Sequence, residues 1–173
     1  MDLKKVILQE HSKTQALKIV RFVGIDAKRF KELVQMFLEG PYRITQQAAW
    51  PLSLCVQQHQ KMILPYLKKI LDFLDQPGIH DAVKRNIIRL LQFIDVPKRF
   101  HGQVANVCFA FLQDKKEPVA IRVFSMKVLG DISQYNPDLK RELKLIIEDQ
   151  LPYASPGFLS RAKKVFRKIA DEP

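Results

Sequence analysis

The chain has 173 residues, and 47% of them are apolar, which is enough to bury a core and too much for a disordered chain. No run of about 18 apolar residues could span a membrane, and the start, MDLKKVILQEHSK, is too briefly apolar and too broken by charge for a signal peptide. Lysine and arginine number 29 against 18 acids, a net charge of +11 that either suits an acidic partner or serves solubility alone.

The first predicted helix opens at Ser12 and sets Ala16, Ile19, Val20 and Val23 on one face. A partner follows over about 26–38, on Phe30, Leu33, Val34 and Phe37. Beyond Gly40-Pro41 the next helix starts at Ile44 and aligns Ala48, Leu52 and Cys55. Pro51 lies inside it and is expected to kink or divide it. Residues 60–75 contain ILPYLKKIL and place Leu64, Leu67, Leu71 and Leu74 together, with Pro65 early in the helix. After Pro77-Gly78 comes a helix from Val83, carrying Ile87, Leu90, Leu91 and Ile94, and then one over 102–113, on Val104, Val107, Cys108 and Phe111. Residues 121–132, IRVFSMKVLGDI, put Ile121, Ser125, Val128, Leu129 and Ile132 on one stripe. Their partner over 137–150 carries Leu139, Leu143, Ile146 and Ile147. It opens on Asn136-Pro137, a capping residue followed by proline at the first helical position. The last helix begins at Phe158 and runs through SRAKKVFRKIADEP, whose charged outer side suits a cap. No stretch alternates as a strand would, so the chain reads as all-α.

The first helices are copies of one pattern. Starts at Ser12, Ile44, Val83, Ile121 and Phe158 lie 32 to 39 residues apart. Four residues after each comes Ala16, Ala48, Ile87, Ser125 or Ala162. Seven after comes Ile19, Pro51, Leu90, Val128 or Val165, and eight after, Val20, Leu52, Leu91, Leu129 or Phe166. Eleven after comes Val23, Cys55, Ile94, Ile132 or Ile169. Four of the starts follow a proline, which a helix start tolerates. A near-constant interval over five helices argues for a repeat. The order of an apolar residue, Arg122, a small residue and a Leu-Gly pair resembles the first helix of a HEAT repeat, and the resemblance covers about residues 12–170. It implies an α-α superhelix of about four helical hairpins plus a C-terminal capping helix, a single domain over 1–173. Stacking makes sense of it physically, because no hairpin buries its apolar face alone.

The register also sorts the cations. Six residues after each start lie Lys18, Trp50, Arg89, Lys127 and Lys164, on the far side of the helix from the apolar stripe. Arg21, Arg85 and Arg167 lie nearby. Stacked, they would form a ridge of positive charge with Trp50 as its one aromatic. Phosphate recognition uses such sequence-independent cations, but an outer helix face must be polar in any case. Second helices carry Lys28, Lys31, Lys68, Lys69, Lys140 and Lys144, which would serve a basic face of their own. Trp50 is either a stacking platform or packed against a neighbouring loop.

Nothing in the sequence builds a catalytic site. It has no phosphate-binding glycine loop, no nucleophile elbow and no HExxH. His11, His59, His80 and His101 are scattered and read as surface or capping residues, while Cys55 and Cys108 read as buried thiols. No cofactor and no metal are expected. DNA-alkylation-repeat glycosylases share the HEAT-like architecture, but their aromatic-plus-carboxylate site has no counterpart here, since Leu54 stands four residues after Trp50. With no catalytic constellation, the resemblance to HEAT-like repeats implies a non-catalytic interaction module that docks another protein, and the lack of a membrane span or signal peptide predicts a place in the cytoplasm. A nucleic-acid binder is the alternative, and a glycosylase a more distant one.

Overall fold

The computed structural model describes residues 2–170. Asp171, Glu172 and Pro173, the end of the expected capping stretch, lie outside them. Among the described residues there are ten α-helices and no strand. The chain divides after Asp95 into two compact units.

The first unit holds α1 (Leu3–Gln9), α2 (Lys13–Val23), α3 (Ala27–Glu39), α4 (Tyr42–Gln58), α5 (Leu67–Leu74) and α6 (Asp81–Leu91). The repeat register had no place for α1. Its apolar part is short, yet Leu3, Val6 and Ile7 recur at helical spacing and are buried, and the Asp2 carboxylate caps the Lys5 amide at 3.1 Å. Gln15 of α2 then donates to the Val6 carbonyl at 2.6 Å, giving a partner to a group that the end of α1 leaves open. Ser12 caps α2 as its position implies, and Gly24 turns the chain with a φ of 49°, a region that favours glycine.

The central helix is α4, which packs on α1, α2, α3 and α6. Pro51 does not divide it, since α4 runs unbroken from Tyr42 to Gln58 with Pro51 buried in its interior. The missing proline N–H costs one bond to the Gln47 carbonyl, and the surrounding burial outweighs that local preference. Pro65 has the larger effect. Gln60–Tyr66 forms a 3-10 helix, and α-helix begins only at Leu67. A proline ring would clash with the carbonyl four residues back in an α-helix, whereas the tighter winding avoids that contact. Buried Asn86 of α6 donates to the Ala82 carbonyl at 2.7 Å and receives the Ser53 hydroxyl of α4 at 3.3 Å.

The second unit holds α7 (His101–Gln113), α8 (Val119–Ile132), α9 (Pro137–Gln150) and α10 (Pro156–Ala170). Here α8 is central and packs on α7, α9 and α10. Its stripe of Ile121, Ser125, Val128, Leu129 and Ile132 is wholly buried. Gly130 lets α10 approach, since a Cβ at that position would sit 3.2 Å from Val165 Cγ1. Asn136 caps α9 through the Asp138 and Leu139 amides, with Pro137 at the first helical position. One side chain ties three helices together. Gln150, at the end of α9 and buried, donates to the Leu112 carbonyl of α7 at 3.1 Å and accepts from the Arg122 guanidinium of α8. Arg122 in turn lies 5.1 Å over the Phe158 ring of α10.

Removing that amide would strand its partners. Gln150→Ala is expected to cost ~1–3 kcal/mol, read as a lower midpoint in urea denaturation, because the Leu112 carbonyl and Arg122 lose a buried bond. Leu129→Ala should cost ~2–5 kcal/mol through lost burial and a cavity. If Leu129→Asp left the melting temperature near the wild-type value, the buried face assigned to α8 would be wrong.

Candidate interaction surface

The predicted cations fall in both units and do not behave alike. In the first unit, Lys18 and Arg21 on α2 and Arg85 on α6 are exposed, as a solvent-facing position requires. Arg89, one turn beyond Arg85, is half-buried. Burial foremost, and then the charge of Arg85, holds its guanidinium pKa below the usual arginine range. Trp50 on α4 is half-buried too, with its ring centroid 5.8 Å from that of His11. It packs beside His11, in the segment joining α1 to α2.

In the second unit, Lys164 and Arg167 on α10 are exposed, but Lys127 on α8 is not the free ridge cation that the register implies. It is half-buried and paired to Asp131 at 2.6 Å, and Asp131 also receives Lys168 of α10 at 2.5 Å. The carboxylate bridges two helices and neutralises charge where the ridge called for an excess. The i,i+4 spacing of Lys127 and Asp131 carried this signal in the sequence.

A second feature of this unit was missed. Between α9 and α10 lies a groove of about 560 Å³. Phe166, Ile169 and Ala170 of α10, with Pro137 of α9, give it an apolar lining, and Lys140, Arg141, Lys144 and Glu148 of α9 give it a polar one. Phe166 and Ile169 occupy stripe positions that the repeat pattern assigns to the core, yet both are half-buried because they face this groove. Among the described residues, Arg141 and Lys144 make only long ion pairs, to Asp138 at 3.8 Å and Glu148 at 3.9 Å, both well exposed. Such pairs contribute little and exchange readily.

Two of the histidines and both cysteines have structural places. His80 caps α6, its Nδ1 accepting from the Ala82 amide at 3.0 Å, and His101 bonds the Val96 carbonyl at 2.8 Å. Among the described residues, no three His, Cys, Asp or Glu side chains gather as metal ligands, and no helix is long and apolar enough to cross a membrane. Cys55 and Cys108 are free and buried. Burial pushes each thiol up to about 12, and the Ser125 hydroxyl offsets this only in part for Cys108.

A model of the HEAT repeat domain matches residues 3–169. The match takes in α1 as well as the five repeated helices. Among solved structures, an engineered protein is similar at 12% sequence identity and a TM-score of 0.57, over 99% of this chain and all of that one. At that identity the likeness speaks for the fold alone. No curated protein matches.

The thiols set a pH dependence. In the folded chain they keep their protons to about pH 12, whereas exposed thiols ionise near the ordinary value of 9.0. Above the lower value ionisation favours the unfolded chain, so stability should fall from about pH 9 towards pH 12. Urea midpoints across that range should fall less steeply for the Cys55→Ala/Cys108→Ala variant.

Proposed function

The chain belongs to the HEAT repeat family and has its α-α solenoid fold, and on that footing we propose that it is a non-catalytic scaffold or adaptor whose surface docks another protein. The observation that supports this best is the α9–α10 groove, an apolar floor that the described residues leave half-covered beside exposed surface charges. Interfaces need such a patch, since contact surfaces are apolar at the centre and polar at the rim. His80 and His101 are engaged in hydrogen bonds to backbone, and Cys55 and Cys108 in the core. Two buried thiols, inert to oxidation, suit the cytoplasm.

A second reading has its own support. Lys18, Arg21 and Arg85 in one unit, and Lys164 and Arg167 in the other, stand exposed as nucleic-acid contacts would. Lys127, held by Asp131, and Trp50, beside His11, contribute less to that reading than the register implied.

A duplex DNA titration by fluorescence anisotropy separates the two. For a protein-docking scaffold, binding should be weak, absent at physiological salt, and no weaker for the Lys18→Gln/Arg85→Gln/Lys164→Gln/Arg167→Gln variant. Four true phosphate contacts would instead give a log–log salt slope near −4, from about −0.9 per contact, and the quadruple variant would abolish it. That result would replace the scaffold reading.

A further inference from the structure

The α9–α10 groove has a length and a pattern as well as a charge. Pro137, Arg141, Lys144 and Glu148 follow one another at steps of four, three and four, a single stripe along α9. At 1.5 Å per residue that stripe is about 16 Å long, or three helical turns. On α10, Phe166, Ile169 and Ala170 are likewise spaced by three and one, so the floor is also a helix face. Leu145, 62% exposed, lies beside Arg141 on α9 and extends the apolar surface past the rim.

We propose that this groove seats an acidic amphipathic helix of a partner protein, about three turns long. Its apolar residues, at i, i+3, i+4 and i+7, would pack on Phe166 and Ile169, and its flanking carboxylates would meet Lys140, Arg141 and Lys144. The inference rests on the scaffold reading and names the partner's chemistry.

The charges favour this occupant. Lys140 has no acidic partner among the described residues, and the pairs held by Arg141 and Lys144 are long and solvent-screened. Arg141 can turn its planar fork onto a new carboxylate. A nucleic-acid backbone fits less well. It offers nothing apolar to cover Phe166 and Ile169, and Glu148 at the far end of the stripe would repel phosphate. The same Glu148 would accept a lysine at that end of a bound helix, which gives the partner a direction.

The test uses the whole chain and a fluorescein-labelled peptide with leucine at i, i+3, i+4 and i+7 and glutamate on the flanking positions. Fluorescence anisotropy should show saturable binding that weakens with salt. The Lys140→Glu/Arg141→Glu/Lys144→Glu variant changes surface residues and should keep its helical circular dichroism while binding about tenfold more weakly or worse. Ile169→Gln should also weaken binding, with salt sensitivity retained. A peptide of the same composition with its leucines shuffled off one face should bind much less; equal binding would reduce the effect to plain charge attraction and overturn the proposal. If the triple variant bound the amphipathic peptide as tightly as wild type, the helix would dock elsewhere: the groove assignment would fall and the scaffold reading would stand. If no peptide bound while an oligonucleotide did, both would fall together.

Discussion

A helical hairpin exposes more apolar surface than its own two helices can cover, and this shortage organises both units. Each solves it by burying one helix from several sides. In the first unit α4 is enclosed by α1, α2, α3 and α6, and in the second α8 is enclosed by α7, α9 and α10. The sequence of α8 differs accordingly from those of α9 and α10. Helices with one wet side are strongly amphipathic, whereas α8 carries Met126 and Gly130 in the core beside its main stripe and has few charged positions. Helix propensity is secondary in such a place, as the unbroken helix around Pro51 shows.

Apolar packing does not by itself fix how far one helix slides along another. Single polar side chains supply that register, each at a junction. Gln15 reaches the end of α1, Asn86 meets Ser53 across α4 and α6, and Gln150 joins α7, α8 and α9. Asp131 does the same in a wetter setting by holding Lys127 and Lys168 from two helices. A buried polar group is costly when unmatched, so each pin penalises every arrangement except the one that pairs it.

The repeat was legible in the sequence because it is periodic. Five stripes of apolar residues at a near-constant interval survive local exceptions, and the positions assigned to the core of α8 are buried. What escaped was set by neighbours distant in sequence. Helix α1 lies outside the register shared by the five repeated helices, and its short apolar stripe is recognisable only once α2 and α4 cover it. The 3-10 winding before α5 follows from Pro65, but a proline near a helix start is equally compatible with α-helix. Lys127 had the right position for a ridge, but Asp131, four residues on, pairs with it, and only the second cation on that carboxylate, Lys168 of α10, comes from a distant part of the sequence. The groove was hidden for the opposite reason. Phe166 and Ile169 carry the core pattern, and nothing in their own helix says that α9 leaves them half-covered.

The two cysteines are distributed one to a unit, Cys55 within α4 and Cys108 within α7, each enclosed by the core of its own unit. A sulfur so enclosed meets a reagent only when the helices around it part. The chain therefore contains two independent clocks, and the order in which they run would reveal whether the array opens as one cooperative block or yields first at one end, a question that a single global melting curve averages away.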